Sequence, residues 1–326
     1  MARLQLSFAC GLYDRMQPLY TGEVKPEGID LNFLAIDEPR QIFDRMGKNL
    51  EFDACEMSST EVFSRLAAAR NEMVALPVFP SRVFRHGFIT VNRKAVQTPK
   101  NLEGKRIGVP LYTQTAAVFI RGLLQDEYGV DLSGVHWVQG ATNSPGSHGN
   151  PSPPPLIKQV SIEQNASGRS LSELLERNDI QAIIGSGLPA ALRTNPDVRR
   201  LFPDFHAVEL DYYRRTRIFP IMHLVAMRRD VYERHPFIAT SLFKAMNEAK
   251  ELALAKMGNV GTLRYMLPGM IAELDEIDAT FAGDPWPYGV EANRPTLEAL
   301  VRYMAEQSLI KAPIPVEELF VPIYGQ

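Results

Sequence analysis

The strongest constraint on this chain is a change of hydrophobic period that repeats along it. Leu4–Ala9 and Ile29–Ala35 have the apolar patterning of strands. Pro39–Lys48 then carries its apolar residues at helical spacing. Phe52–Glu56 reads as the next strand, and Ser59–Ala69 as a helix opened by the cap-like SSTE. Val74–Val78 and Phe88–Asn92 read as strands again. Strands separated by helices are not joined by tight hairpins. The helices act as crossovers that cover a mostly parallel sheet, so the expected class is α/β.

The same rhythm restarts near Val91. NLEGKRIGVP is a turn and a strand, and TQTAAVFIRGLLQDEYG is a helix with Ala117, Ile120, Leu123 and Leu124 on one face and Gly129 at its end. HWVQG, IKQVSI and IQAIIGSG read as strands, and SLSELLERN as a helix. Asn143–Pro155, NSPGSHGNPSPPP, is too rich in proline and glycine for regular structure. A strand resumes after it, so it is expected to be a mobile loop or lid bordering a cleft. After TRIFPIMHLVAM the pattern turns helical, over His235–Met257, Val260–Leu267 and Glu291–Glu306. No internal repeat occurs. The economical arrangement is two α/β lobes. Residues 1–92 and 219–326 form one, residues 93–218 the other, and the ligand sits between them at the C-terminal ends of strands.

The net charge of −3 leaves no global basic field and argues against nucleic acid as a partner. No stretch approaches the ~20 apolar residues of a membrane span. MARLQLSFAC passes from one arginine straight into a strand, without the apolar run or small-residue cleavage site of a secretory leader. A cytoplasmic location with no membrane partner is therefore expected. Cys10 and Cys55 end two apolar runs and read as buried reduced thiols. The oligomeric state stays open, a homo-oligomer included.

Positive charge is nevertheless concentrated at one place. In PVFPSRVFRHGF, Arg82, Arg85 and His86 lie among Phe79, Val83, Phe84 and Phe88, where the chain enters a strand. Against a low net charge, such a cluster suits a small local anion, and the planar fork of arginine matches a carboxylate. Strand ends supply further candidates. Asp14 and Arg15 follow the first strand, Glu56 ends the third, and Thr113, Gln114 and Thr115 open a helix. A helix start offers free backbone N–H groups to an anion, although Thr113 or Thr115 also suits plain capping. His223 stands alone in the apolar IFPIMHLVAM, a setting typical of a core histidine. Trp286 and Tyr288 sit in the proline-rich GDPWPYG, suited either to a planar ligand or to packing. Neither HExxH nor GxSxG occurs, so spacing points to no metal site and no serine nucleophile.

Taken together and in order, ACEMSSTEV, PVFPSRVFRHGFITVN, LEGKRIGVP, TAAVFIRGLLQDEYGVD, FPIMHLVAM and GDPWPYGVEANRPTLEALVRYM resemble the 4,5-dihydroxyphthalate decarboxylase family over nearly the whole chain. The RxFRH, FPIMH and DPWPYGxExNR segments are specific, whereas LEGKRIGVP is shared with many solute-binding proteins. Asn143–Pro155 matches the family least. The resemblance implies a two-lobed type II periplasmic binding-protein-like fold with the ligand cleft between the lobes. It implies a carboxy-lyase of aromatic catabolism, converting an aromatic ortho-dicarboxylate, 4,5-dihydroxyphthalate, to protocatechuate and CO2 without an organic cofactor.

That chemistry needs one acid and one base. Under the resemblance His223, His86 and Glu56 are the candidates, with His223 as proton donor and Glu56 orienting it or taking a hydroxyl proton. Arg82, Arg85 and the Thr113–Thr115 helix start would hold the carboxylates, with Asp14, Arg15, Trp286 and Tyr288 nearby. Two other readings remain open at this stage. One is a solute-binding protein for an aromatic or pyrimidine-like anion. The other is a divalent metal held by His223, His86 and Glu56.

Overall fold

The computed structural model describes residues 3–324 except Asn71. Its strands form two mixed sheets. The first has the order β2-β1-β3-β11-β4, built from β1 Leu4–Cys10, β2 Ile29–Ala35, β3 Ala54–Ser58, β4 Met73–Arg82 and β11 Ile221–Arg228. The second has the order β10-β5-β9-β6-β7-β8. Its strands are β5 Thr90–Asn92, β6 Arg106–Val109, β7 His136–Gln139, β8 Ile162–Gln164, β9 Ala182–Ile183 and β10 Val198–Arg200. The longer helices flank them: α1 Pro39–Asn49, α2 Ser59–Ala67, α3 Thr115–Tyr128, α4 Phe205–Thr216, α5 Phe237–Met257, α6 Met270–Phe281 and α7 Arg294–Glu306.

The α/β class holds, but the sheets are less parallel than expected. β1 pairs in parallel with β2 and β3, while β11 returns from the second half of the chain and runs antiparallel to both β3 and β4. In the second sheet β5 is antiparallel to β9 and β10. Thr90–Asn92, grouped from sequence with the first lobe, thus pairs in the second sheet. The chain leaves the first sheet after Arg82 and returns to it at Ile221.

Several element limits move for identifiable reasons. β4, Met73–Arg82, contains Pro77 and extends beyond Val78 through Pro80. It lies at the edge of its sheet, where a residue lacking N–H costs no ladder bond. The strand expected in IKQVSI begins only at Ile162, and IQAIIGSG contributes just Ala182–Ile183. Val260–Leu267 is not helical. Glycine at 258 and 261 and Pro268 interrupt the pattern, and the helix forms afterwards as α6. SSTE does open α2, but Glu61 closes no capping box. It turns to Arg40 and Arg65 at 3.3 and 3.4 Å.

One continuous apolar core joins both sheets, from Phe8 and Leu76 to Ile107, Leu124 and Leu300. Cys10 and Cys55 are buried free thiols within it. Among the described residues no helix is long and apolar enough to cross a membrane.

Candidate active site

The register of the first sheet places one titratable pair. On β11 His223 lies opposite Ser58 and Val225 opposite Glu56, so His223 and Glu56 are diagonal neighbours on one face. Against β4 the register of β11 slips on both sides of His223, a bulge of the kind that re-aims a side chain. The result is a contact of 2.5 Å between His223 Nδ1 and Glu56 Oε1.

Glu56 is fully buried, and its carboxylate is saturated by local donors. Besides His223, Oε1 accepts from the Tyr13 hydroxyl at 2.8 Å, and Oε2 accepts from Gly11 N–H at 3.1 Å and from Cys10 Sγ at 3.4 Å. Burial alone would raise its pKa. The charge of His223 and the hydrogen bonds from His223, Gly11 and Tyr13 outweigh burial and hold the carboxyl below its ordinary range. The same pairing works the other way on its neighbours: burial and the Glu56 charge push the Tyr13 phenol up. Glu56 is therefore an ionised anchor for one ring nitrogen of His223, which leaves Nε2 as the free one. Phe43 packs edge-on against the ring, 4.9 Å between centroids.

His223 opens onto a cavity of about 300 Å³. Three helix starts border it: Glu38–Arg40 of α1, Ser58 before α2, and Gln114–Ala116 of α3. The positive dipole end makes each of them favourable to an anion. Thr115 does not cap its helix. Its hydroxyl meets Ser58 Oγ and Thr60 Oγ1, each at 3.0 Å, and accepts Thr60 N–H at 3.2 Å, tying the starts of α2 and α3 together. Thr113 contributes its carbonyl to Thr60 Oγ1 at 2.7 Å. The Gln114 amide nitrogen donates to Ser186 Oγ at 2.9 Å and lies 3.2 Å from His148 Nε2, while its carbonyl oxygen is buried without a partner.

Arg85 is the cation this cavity leaves unmatched. Its Nε donates to Met222 Sδ at 3.1 Å, a weak acceptor, and its guanidinium stacks 4.7 Å over Phe88. Among the described residues no carboxylate lies within ion-pair distance of it. Burial pulls its pKa down to about 9, with Glu209 opposing. A second cation on the wall, Arg40, is already matched by Asp44 at 2.9 Å and Glu61 at 3.3 Å.

Other expectations are redirected. Arg82 does not reach the cavity. It is buried, donates to the carbonyls of Phe219 at 2.9 Å and Pro287 at 3.4 Å, and stacks on Phe219. His86 is caged edge-on by Tyr128, Phe202 and Tyr212, with both ring nitrogens unpartnered. Burial, with Arg215 adding to it, lowers its pKa to about 4. His223, Glu56 and His86 thus do not converge as metal ligands. Among the described residues the histidine and carboxylates that do draw together are His206, Glu273 and Glu276, at the surface. Arg15 is held by the Pro80 carbonyl at 2.7 Å and by Asp14 at 3.0 Å, between the rings of Tyr13 and Trp286. Asp14, Arg15 and Trp286 line a second cavity, and Tyr288 is buried packing.

Arg40, Phe43, His148 and Ser186 line the site without having been foreseen. Arg40 had a legible signal, a cation in the first turn of a helix that follows a strand. His148 sits in the Asn143–Pro155 segment. There the Asn150 N–H donates to Asp44 Oδ2 at 2.8 Å and Arg65 donates to Ser152 Oγ at 2.9 Å, so this segment from the second half of the chain docks on α1 and α2.

No family model matches the chain. A 4,5-dihydroxyphthalate decarboxylase of Comamonas testosteroni is 35% identical over 324 residues, 99% of this chain and 98% of that one. The chain belongs to the 4,5-dihydroxyphthalate decarboxylase family. A second decarboxylase of that name, from Pseudomonas putida, is 35% identical over 66% of this chain and 83% of its own length. As a member of this family the chain is a carboxy-lyase. The structure also superposes on the periplasmic aliphatic sulphonate binding protein of Escherichia coli, with a TM-score of 0.55, 10% identity and 97% of each chain covered. That likeness fixes the periplasmic binding-protein fold.

Proposed function

We propose that this decarboxylase converts 4,5-dihydroxyphthalate to protocatechuate and CO2 in the cavity at His223, by acid/base chemistry that uses no organic cofactor. The observation that carries the reading is a histidine locked at Nδ1 by a buried carboxylate, facing a cavity that also holds a cation without a counterion. The two sheets are proposed as cores of two lobes with this cavity between them.

In the substrate each carboxylate is para to a hydroxyl. Loss of that hydroxyl's proton pushes an electron pair through the ring to the carbon bearing the carboxylate. His223, as the imidazolium, gives its Nε2 proton to that carbon. The ring becomes a dienone, the carbon–carboxylate bond breaks, and its electron pair restores the aromatic ring as CO2 leaves. Glu56 stabilises the imidazolium and fixes its direction. It does not itself take the hydroxyl proton, because every one of its oxygens is already engaged below the cavity floor. His148, held neutral by burial and by the nearby Arg40 charge, is the second imidazole on the wall and is assigned to receive the phenolic proton. Arg85 and the helix starts of α1, α2 and α3 hold the two carboxylates.

The deciding experiment is incubation of the protein with 4,5-dihydroxyphthalate, following CO2 release and protocatechuate by chromatography, with and without chelator. Turnover unaffected by chelator is expected. Absence of protocatechuate with turnover of another aromatic dicarboxylate would sink the substrate assignment, and chelator inactivation would sink the metal-free mechanism.

A further inference from the structure

The second cavity, about 320 Å³, is as large as the active one but differs in chemistry. Its walls are the aromatic and aliphatic faces of Phe84, Phe219, Phe281, Trp286, Leu210 and Ile277. Phe84 and Phe219 stack at 4.4 Å, and Phe281 and Trp286 close on Phe219 at 5.6 and 5.5 Å. The cations at its edge are already matched, Lys250 by Asp284 at 2.5 Å, Arg15 by Asp14 at 3.0 Å and His206 by Glu276 at 2.6 Å. An engineered apolar cavity of roughly 150 Å³ suffices to bind benzene. The chemistry here fits an uncharged molecule with one or two aromatic rings and rejects a dicarboxylate, which would find no free cation.

This cavity shares a wall with the active one. Val83 and Arg85 line the active cavity, while Phe84 between them lines the second. Glu209, also on the second cavity's wall, accepts the Gly87 N–H at 2.9 Å two residues beyond Arg85. We propose that the second cavity is an effector site for a neutral aromatic molecule, which shifts substrate affinity by moving Phe84 and with it Arg85. The coupling needs only this segment of strand end, displaced as a unit, and reciprocity requires that substrate change the effector's affinity by the same factor.

The test uses 1-naphthol as the probe and phthalate as an unreactive occupant of the active cavity. Quenching of Trp286 emission reports binding, with Trp286→Phe as control for the other tryptophan, Trp137. One equivalent of 1-naphthol is expected to bind with phthalate saturating, and to change the phthalate Kd by about fivefold or more. Ala253→Phe and Ile277→Trp fill the cavity and are expected to abolish this binding while decarboxylation continues. Stoichiometric displacement of 1-naphthol by phthalate would overturn the proposal, since both would then share one site. So would binding that survives in folded filling variants, or binding with no effect on phthalate affinity. Should either variant fail to fold, the competition on the wild-type protein still decides. The phthalate arm rests on the proposed assignment of the first cavity, and failure of phthalate to bind at all would sink that assignment, whereas 1-naphthol binding and its loss in the filling variants test the second cavity by itself.

Discussion

Two arginines three residues apart have opposite assignments, and truncating each separates them. Arg85 faces the cavity, and among the described residues its side chain's one hydrogen bond goes to a thioether. The N–H groups left over can form two parallel bonds to a carboxylate, each worth about 1.5–3 kcal/mol for a charged pair. Arg85→Ala should therefore cost at least about 3 kcal/mol of substrate and transition-state binding, roughly a hundredfold or more in kcat/KM. It releases only the weak thioether acceptor of Met222, and burial already disfavours its charge, so the melting temperature should change little. Arg82→Ala should do the reverse. It strands the Phe219 carbonyl inside the protein, at about 1–3 kcal/mol, and removes the guanidinium stacked on Phe219, while the Pro287 carbonyl keeps Asn293 Nδ2 at 2.9 Å. The expected result is a melting temperature lower by several degrees, with kcat/KM per folded molecule within a few-fold of wild type. Steady-state kinetics and thermal denaturation on the two variants make the comparison. Wild-type KM in Arg85→Ala, or a kinetic defect in Arg82→Ala equal to that of Arg85→Ala, would refute the assignment.

His223→Asn should lower kcat by about 10²–10⁴-fold, the usual worth of general acid catalysis, while phthalate binding measured by calorimetry stays within a few-fold. Shortening Asn143–Pro155 removes His148 and the contacts to Asp44 and Arg65, and should depress turnover more than melting temperature. His86 contributes acid lability. Its folded pKa of about 4 lies below the ordinary 6.5, so the unfolded chain takes up a proton first as pH falls. Stability is full above pH 6.5 and drops by about 3 kcal/mol by pH 4. In urea titrations His86→Phe, which suits the aromatic cage, should lose that much less between pH 7 and 4.

The fold was legible because the hydrophobic period is a local signal. β1, β2, α1, α3 and the long α5 fall within a few residues of where the pattern puts them. What failed was local signal overridden by tertiary context. β4 continues through two prolines because it is an edge strand, a fact that depends on β11 arriving from 140 residues later. The site divides in the same way. His223 and Glu56 are separated by 167 positions, and sequence offers each only as a titratable residue in an apolar run. Their pairing is a matter of register. Arg82 and Arg85 are indistinguishable as sequence, yet one supports a turn and the other faces the cavity. Chain direction after a strand end settles which does which. Asp14 and Arg15 were grouped with the substrate because they follow a strand end, and Trp286 because it sits in a rigid proline-rich turn. They do meet, but with one another.

The proposed mechanism draws its two requirements from different levels of the structure. Holding an anion costs this architecture little, since three helices begin at the cavity and turn their positive dipole ends toward it. Chemistry requires more: a proton donor that stays directed while its charge changes. A histidine on a loop would be free to turn. Here the ring is carried by an interior strand, aimed by a bulge, and anchored at Nδ1 by a carboxylate that three other donors hold in place. Loss of Tyr13 or Gly11 N–H contacts would therefore act on His223 at second hand, by loosening Glu56. Under the proposed mechanism the fold supplies the affinity, and a single register choice between β3 and β11 supplies the acid.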